Sequence, residues 1–142
     1  MQPALLDSSV YIAAMRRGDS GVLALRRLSP DAPLWLSAVV LEELYAGAYG
    51  HARQLVEKME RDFDGVKRIL VPNLGDWTQA GRVLARLAAK YGYEKIGQGR
   101  LANDTLIAMS AARMGARVVT ANERDFRKLA EFRRFEWELA TI

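Results

Sequence analysis

The chain has 142 residues, half of them hydrophobic, so it can bury a sizeable core and is too apolar to be disordered. It has no cysteine and a single histidine, His51, which excludes disulfides and thiolate metal sites and disfavours a zinc centre. The net charge of +4 and a pI near 9.6 suit a polyanionic partner.

One domain over residues 1–142 is the simplest organisation. The opening stretch has no basic n-region and meets an acid, Asp7, too soon for a secretion signal. No apolar run nears the roughly 20 residues that span a bilayer, so a cytoplasmic protein without membrane contact is expected. In chain order, a first strand is predicted over about 3–7. A helix over about 9–16 follows, capped by Ser8 or Ser9 and ended by Gly18. A second helix, about 20–28, stops before Ser29-Pro30. Leu34-Trp35-Leu36 reads as a strand, after which Ser37 caps a helix over about 38–48. A long helix from about 51 carries Leu55, Met59 and Phe63 at four-residue spacing. Residues 68–71 read as a strand closed by Pro72. Asp76 caps a helix over about 77–91, and 92–99 is a glycine-rich loop. Asn103 caps a helix over about 104–114, which Gly115 closes. Val118-Val119-Thr120 is a buried strand, followed by a short helix over about 123–131 and an alternating edge strand over 135–139. This alternation predicts an α/β fold, a central parallel sheet between two helical layers.

Four acids stand where acids are least expected. Asp7 ends the first strand, Glu43 lies in the apolar helix after Ser37, Asp104 opens Thr105-Leu106-Ile107-Ala108-Met109, and Asp125 follows the strand ending at Thr120. Buried acids are rare unless paired or holding a metal. In open parallel sheets the working site lies off the carboxyl ends of the strands. All four acids map to that rim, with Asp104 in a first helical turn. Two carboxylates about 5 Å apart repel by roughly 3 kcal/mol at an effective dielectric near 20. A shared divalent cation removes that cost, and an all-oxygen donor set suits Mg²⁺ or Mn²⁺. Taken singly, each acid has an ordinary reading: Asp7 as a helix cap, Glu43 as a solvated neighbour of Glu42, Asp104 and Asp125 as first-turn acids.

The same stretches resemble the PIN-domain ribonucleases, in particular the VapC toxins of toxin–antitoxin pairs. Leu5-Leu6-Asp7-Ser8-Ser9-Val10 is similar to that family's opening motif. Ser37 to Gly47 is similar to the second, whose count from the serine selects Glu43 over Glu42. Asn103-Asp104-Thr105-Leu106-Ile107-Ala108 resembles the third. Val119-Thr120-Ala121-Asn122-Glu123-Arg124-Asp125-Phe126 resembles the fourth, although some members carry an acid in place of Asn122. The resemblance implies a three-layer α/β/α PIN domain, Mg²⁺ or Mn²⁺ dependence, endonucleolytic cleavage of RNA, a homodimer, and inhibition by a VapB-type antitoxin. It makes Asp7 and Asp104 the main metal ligands. Glu43 would bind through water or help orient the nucleophile, Asp125 would complete the site, and Ser9 and Asn122 would support it.

Arg16, Arg17 and Arg100 are the expected RNA phosphate contacts. His51 reads as a surface residue at a helix start. Trp35, Trp77 and Trp137 read as core, while Tyr91 and Tyr93 are ordinary packing or a base-stacking pair. Leu23, Leu44, Leu55 and Met59 line either core or a groove for an antitoxin helix. The rival function is a non-catalytic PIN-like scaffold that binds RNA or protein. A phosphotransfer receiver is disfavoured, because Asp7-Ser8-Ser9 lacks the second acid such domains place beside the first strand.

Overall fold

The computed structural model describes residues 2–18, 31–95 and 100–140. The expected helix over 20–28, and most of the glycine-rich loop, lie outside them. The described elements are β1 (Ala4–Leu6), α1 (Ser8–Arg16), β2 (Leu34–Ser37), α2 (Ala38–Gly47), α3 (His51–Gly65), β3 (Ile69–Leu70), α4 (Leu74–Tyr91), a single 3₁₀ turn (Tyr93–Lys95), α5 (Arg100–Met114), β4 (Arg117–Thr120), α6 (Glu123–Ala130) and β5 (Trp137–Leu139).

The five strands form one sheet in the order β3-β2-β1-β4-β5, and every pairing is parallel. Central strands of such a sheet are covered on both faces and read as unbroken apolar runs. β1 is Ala4-Leu5-Leu6 with no solvent exposure, and Val118, Val119 and Thr120 of β4 are equally buried. Helices α1, α2 and α3 contact one another in series, and α4, α5 and α6 form a second connected group. Six helices among the described residues thus flank the parallel sheet, the α/β architecture expected from the alternation of elements. β1 feeds β2 and β3 on one side, while β4 and β5 lie on the other. The strand order therefore reverses between β1 and β4, and Leu6 pairs with Val119 there. This switch point at the carboxyl ends is where open α/β sheets place their sites.

Two helix starts differ from expectation. α4 begins at Leu74, three residues early, with Asn73 as its cap. The Asn73 side chain accepts from Asp76 N at 2.8 Å, and the Asp76 carboxylate accepts from Asn73 N at 3.0 Å. Asp76 is thus the third residue of a capping box and not the cap itself. It also accepts from Arg113 Nε at 2.9 and 3.0 Å, tying α4 to α5. α5 begins at Arg100, so Asn103 is a helical residue and Asp104 lies in the second turn, beyond the strongest part of the helix dipole. Its other end matches: Gly115 takes φ +73 just past Met114.

Among the tryptophans, Trp137 packs on Phe126 with ring centroids 6.5 Å apart, and Trp35 lies against the core. Trp77 is 60% exposed, contrary to its expected core role, because it lies off the Ala80, Val83 and Leu87 face that α4 buries. His51 is exposed at the start of α3, as expected. No helix among the described residues is long and apolar enough to cross a membrane.

Candidate active site

The site starts where β1 ends. Asp7 leaves the strand with φ −82 and ψ 174 and caps α1, Oδ1 accepting from Val10 N at 3.4 Å. The cap was expected at Ser8 or Ser9. Both serines are engaged elsewhere: Ser9 Oγ donates to Asp7 Oδ1, and Ser8 bonds the Glu43 side chain. On the other side of the switch point, Thr120 Oγ1 donates to Asp7 Oδ2 at 2.5 Å and accepts from Asn122 N at 2.9 Å. Ser9 Oγ accepts from Ala121 N at 3.1 Å. Two hydroxyls thus bind the first turn of α1 to the end of β4, with the Asp7 carboxylate between them.

Asn122 caps α6 through its side-chain oxygen, which accepts from Asp125 N at 3.5 Å. Its Nδ2 donates to Asp125 Oδ2 at 3.0 Å and to Asp104 Oδ2 at 3.3 Å. One amide therefore spans two carboxylates from different helices. Glu43 enters from α2. Glu42 is exposed, whereas Glu43 faces Ser8 and Asn103 and keeps Oε1 buried with no hydrogen-bond partner. A shift of one residue turns a helical side chain by about 100°, which is why only one of the neighbouring glutamates can face inward.

Burial and mutual repulsion set the protonation of this cluster. Asp7 is 2% exposed and Asp104 3%. Burial raises the Asp7 carboxyl, opposed by the hydrogen bonds from Ser9 and Thr120. Burial also raises Glu43, opposed by Ser8, Asn103 and Arg100. Asp104 is pushed up to about 8, first by burial and then by the charges of Asp7, Glu43 and Asp125, with Arg100 pulling the other way. The charges of the other three expected acids, Asp7, Glu43 and Asp125, therefore all bear on Asp104. As placed, no three acidic or histidine side chains among the described residues can grip one ion directly. They share a field more than a coordination shell. Such an arrangement suits a hydrated ion, since Mg²⁺ usually takes one or two carboxylates and keeps several waters. The orphaned Oε1 of Glu43 and the all-oxygen donor set fit a hard divalent cation of that kind.

Two open clefts reach this cluster. One, of about 530 Å³, is lined by Ser9, Arg100, Asn122, Arg124, Asp125 and Lys128 among others. The second, of about 370 Å³, has Glu43 in its wall together with Ile12, Met15, Leu44, Ala48 and Arg16. The expected cations are divided. Arg100 stands beside the acids, whereas Arg16 and Arg17 sit at the far end of α1, roughly 13 Å along the helix from Asp7. Arg16 reaches the second cleft, and Arg17 lines neither. Of the groove expected from sequence, Leu44 lines the second cleft, Met59 packs on the core, and Leu23 is outside the described residues. Tyr91 donates its hydroxyl to Glu131 Oε2 at 2.5 Å, while Tyr93 is 79% exposed. Thr120, Ser8 and Asn103 were not expected at the site. Each lies in a stretch that carries the family resemblance, Ser8 in the first, Asn103 in the third and Thr120 in the fourth, without a sign of the bond it makes.

The PIN domain family model matches residues 4–132. The chain belongs to the PIN domain family. Among solved structures, this PIN domain is similar to the DNA-bound VapBC of Salmonella typhimurium, with a TM-score of 0.70, 23% identity and 98% of each chain covered. It is also similar to VapBC2 of Rickettsia felis bound to a promoter DNA fragment, with a TM-score of 0.66, 22% identity and coverage of 99% of this chain and 100% of that one. A third likeness is to VapBC-5 of Mycobacterium tuberculosis, with a TM-score of 0.56, 24% identity and full coverage of both chains. At these identities the likeness is one of fold. No curated protein sequence matches the chain.

Proposed function

We propose that this PIN domain is a metal-dependent endoribonuclease of the VapC type, which hydrolyses RNA phosphodiester bonds and is restrained by a VapB-type antitoxin. The observation that carries the reading is the state of Asp104. A carboxyl held near 8 by burial and three neighbouring acids is costly to a fold and useful to a cation site. The fold-level likeness to toxins solved in VapBC complexes supports the choice of partner class.

In this reading Asp7 and Asp104 hold Mg²⁺ or Mn²⁺, Glu43 acts through water, and Asp125 completes the acid set. When bound, the cation supplies the positive charge that offsets negative charge developing on a phosphodiester in attack. The chain's own residues do the rest. Ser9 and Thr120 fix the Asp7 carboxylate from both sides. Asn122 keeps Asp104 and Asp125 apart while satisfying one oxygen of each. Glu43, with one oxygen free of hydrogen bonds, is the group available to accept a proton from an attacking water. The apolar cleft lined by Ile12, Met15, Leu44 and Ala48 suits an amphipathic antitoxin segment, with Glu43 in its wall.

The competing reading, a non-catalytic scaffold, draws on the failure of any three acids to converge as placed. One experiment separates the two. Total cellular RNA incubated with the protein and Mn²⁺ should be cut at discrete places. Omitting the cation, or using Asp104→Asn, should abolish cutting and leave the circular dichroism unchanged. Equal cutting by Asp104→Asn would remove that residue from the chemistry, and no cutting by the unsubstituted protein on any RNA would favour the scaffold.

A further inference from the structure

The walls of the two clefts differ in chemistry. The apolar one carries Arg16 as its single cation. The other presents Arg100, Arg124 and Lys128 against one carboxylate, Asp125. We propose that this basic cleft is a phosphate-binding subsite for single-stranded RNA flanking the cut, and that the strand leaves the acids over α6 and the end of α4, not over α1 and α2. The proposal rests on the ribonuclease reading above.

Position comes first. Asn122 and Asp125 line the cleft, and the Asn122 amide touches Asp104, so the cleft opens directly onto the acid cluster. Arg124 and Lys128 are four residues apart on α6, which puts them on one face of the helix, one turn apart. Arg100 stands at the first residue of α5. Three cations from two helices thus border one short path away from Asp104.

Availability comes second. The competing acid at the start of α6, Glu123, is taken by Arg127. Asp125 is turned to the Asn122 amide. Arg124 enters no salt bridge among the described residues and is exposed. Lys128 lies over the Tyr91 ring, Nζ 4.9 Å from its centroid, so part of the entropy lost on ordering a lysine is already spent in the fold. The nearby carboxylate that could neutralise it, Glu131, is engaged by Lys90 and by the Tyr91 hydroxyl. Beyond Lys128, Arg86 lies over the Phe132 ring and prolongs the basic surface, while Lys90 is paired with Glu131.

Shape selects the strand state. A cleft of about 530 Å³ is of the size that takes a small ligand, roughly 300–1,000 Å³. Asp7 and Asp104, which lie behind the Ser9 and Asn122 that line it, are 2% and 3% exposed. A duplex is too broad to bring a phosphate to them, whereas a splayed single strand can.

The test uses a labelled single-stranded RNA and the Asp104→Asn protein, so that binding is read without cutting. Each phosphate contact removed should lower the slope of log affinity against log salt by about 0.7, hence about 1.4 for Arg124→Ala with Lys128→Ala. Lys128→Gln, which keeps the stem on Tyr91, should reproduce the loss if the alanine protein is unstable. In the otherwise unsubstituted protein the pair should raise KM several-fold and spare kcat, as expected for positioning contacts remote from the reacting phosphate. Lys58→Ala with Arg61→Ala, an equal loss of charge on the exposed side of α3, should leave slope and KM unchanged. A parent that binds and cuts RNA, with the Arg124 and Lys128 variants identical to it, overturns the subsite alone. So does an equal loss in the α3 control, which would reduce the effect to overall charge. A parent that neither binds nor cuts RNA overturns the ribonuclease reading and the subsite together.

Discussion

Thr120 holds together more of the site than its neighbours in sequence suggest. Its hydroxyl is fully buried, donates to Asp7 and accepts from the backbone that enters α6. Valine has nearly the same shape and neither capacity. Thr120→Val should therefore strand a buried carboxylate oxygen and a backbone N–H, at a cost of about 1–3 kcal/mol. Thermal unfolding should show a fall of several degrees, and an unchanged transition would mean that water replaces the hydroxyl. The four acids were legible in the sequence as a set, because each alone has an ordinary reading and only their common place on one rim of the sheet does not. Thr120 was not, since a β-branched residue in a buried strand needs no explanation. Ser8 and Asn103 were hidden for a related reason: their partner, Glu43, is far away in sequence, and a small polar residue near a helix start reads first as a cap.

At the level of elements, the parallel sheet and its flanking helices followed from alternation, and the errors fell at helix starts. Asn73 and Asp76 carry a capping-box pattern, but the acid drew the boundary to the wrong member of the pair. For α5, Asn103-Asp104 looks like a helix beginning. The fold instead uses Asn103 as a helical contact to Glu43, which requires the helix to start earlier. Two glycines offer a quantitative check on backbone roles. Gly115 has φ +73 and open space around its missing side chain, so alanine there meets strain alone, about 1–2 kcal/mol. Gly81 is exposed inside α4, also with open space, and alanine there should add about 0.4–1 kcal/mol by restricting the unfolded chain. Denaturant melts of Gly115→Ala and Gly81→Ala should move in opposite directions; movement in the same direction would contradict this account of the two helices.

For the whole molecule, the acid cluster couples stability to pH and to cations. An unfolded chain ionises Asp104 near its ordinary value of 3.8, while the folded chain keeps the proton to about 8. Between those values the native state binds more protons, so stability falls as pH rises and levels off above about 8. Asp7 and Glu43, also raised, act in the same sense. A divalent cation binds the ionised form and should restore the loss. In EDTA, Tm should be lower at pH 8 than at pH 5; Mg²⁺ or Mn²⁺ should raise it more at pH 8, and Asp104→Asn should flatten both trends. A cation effect of equal size at the two pH values would separate binding from the cluster. The borders of the sheet carry a different consequence. β3 is two residues long, and one residue beyond it comes Pro72, which has no N–H to offer. β5 is three residues long and sets Glu138 against Arg117. Neither rim offers a foreign peptide enough backbone to zip onto, so self-association or capture of another chain must proceed through helical surface and side-chain fit.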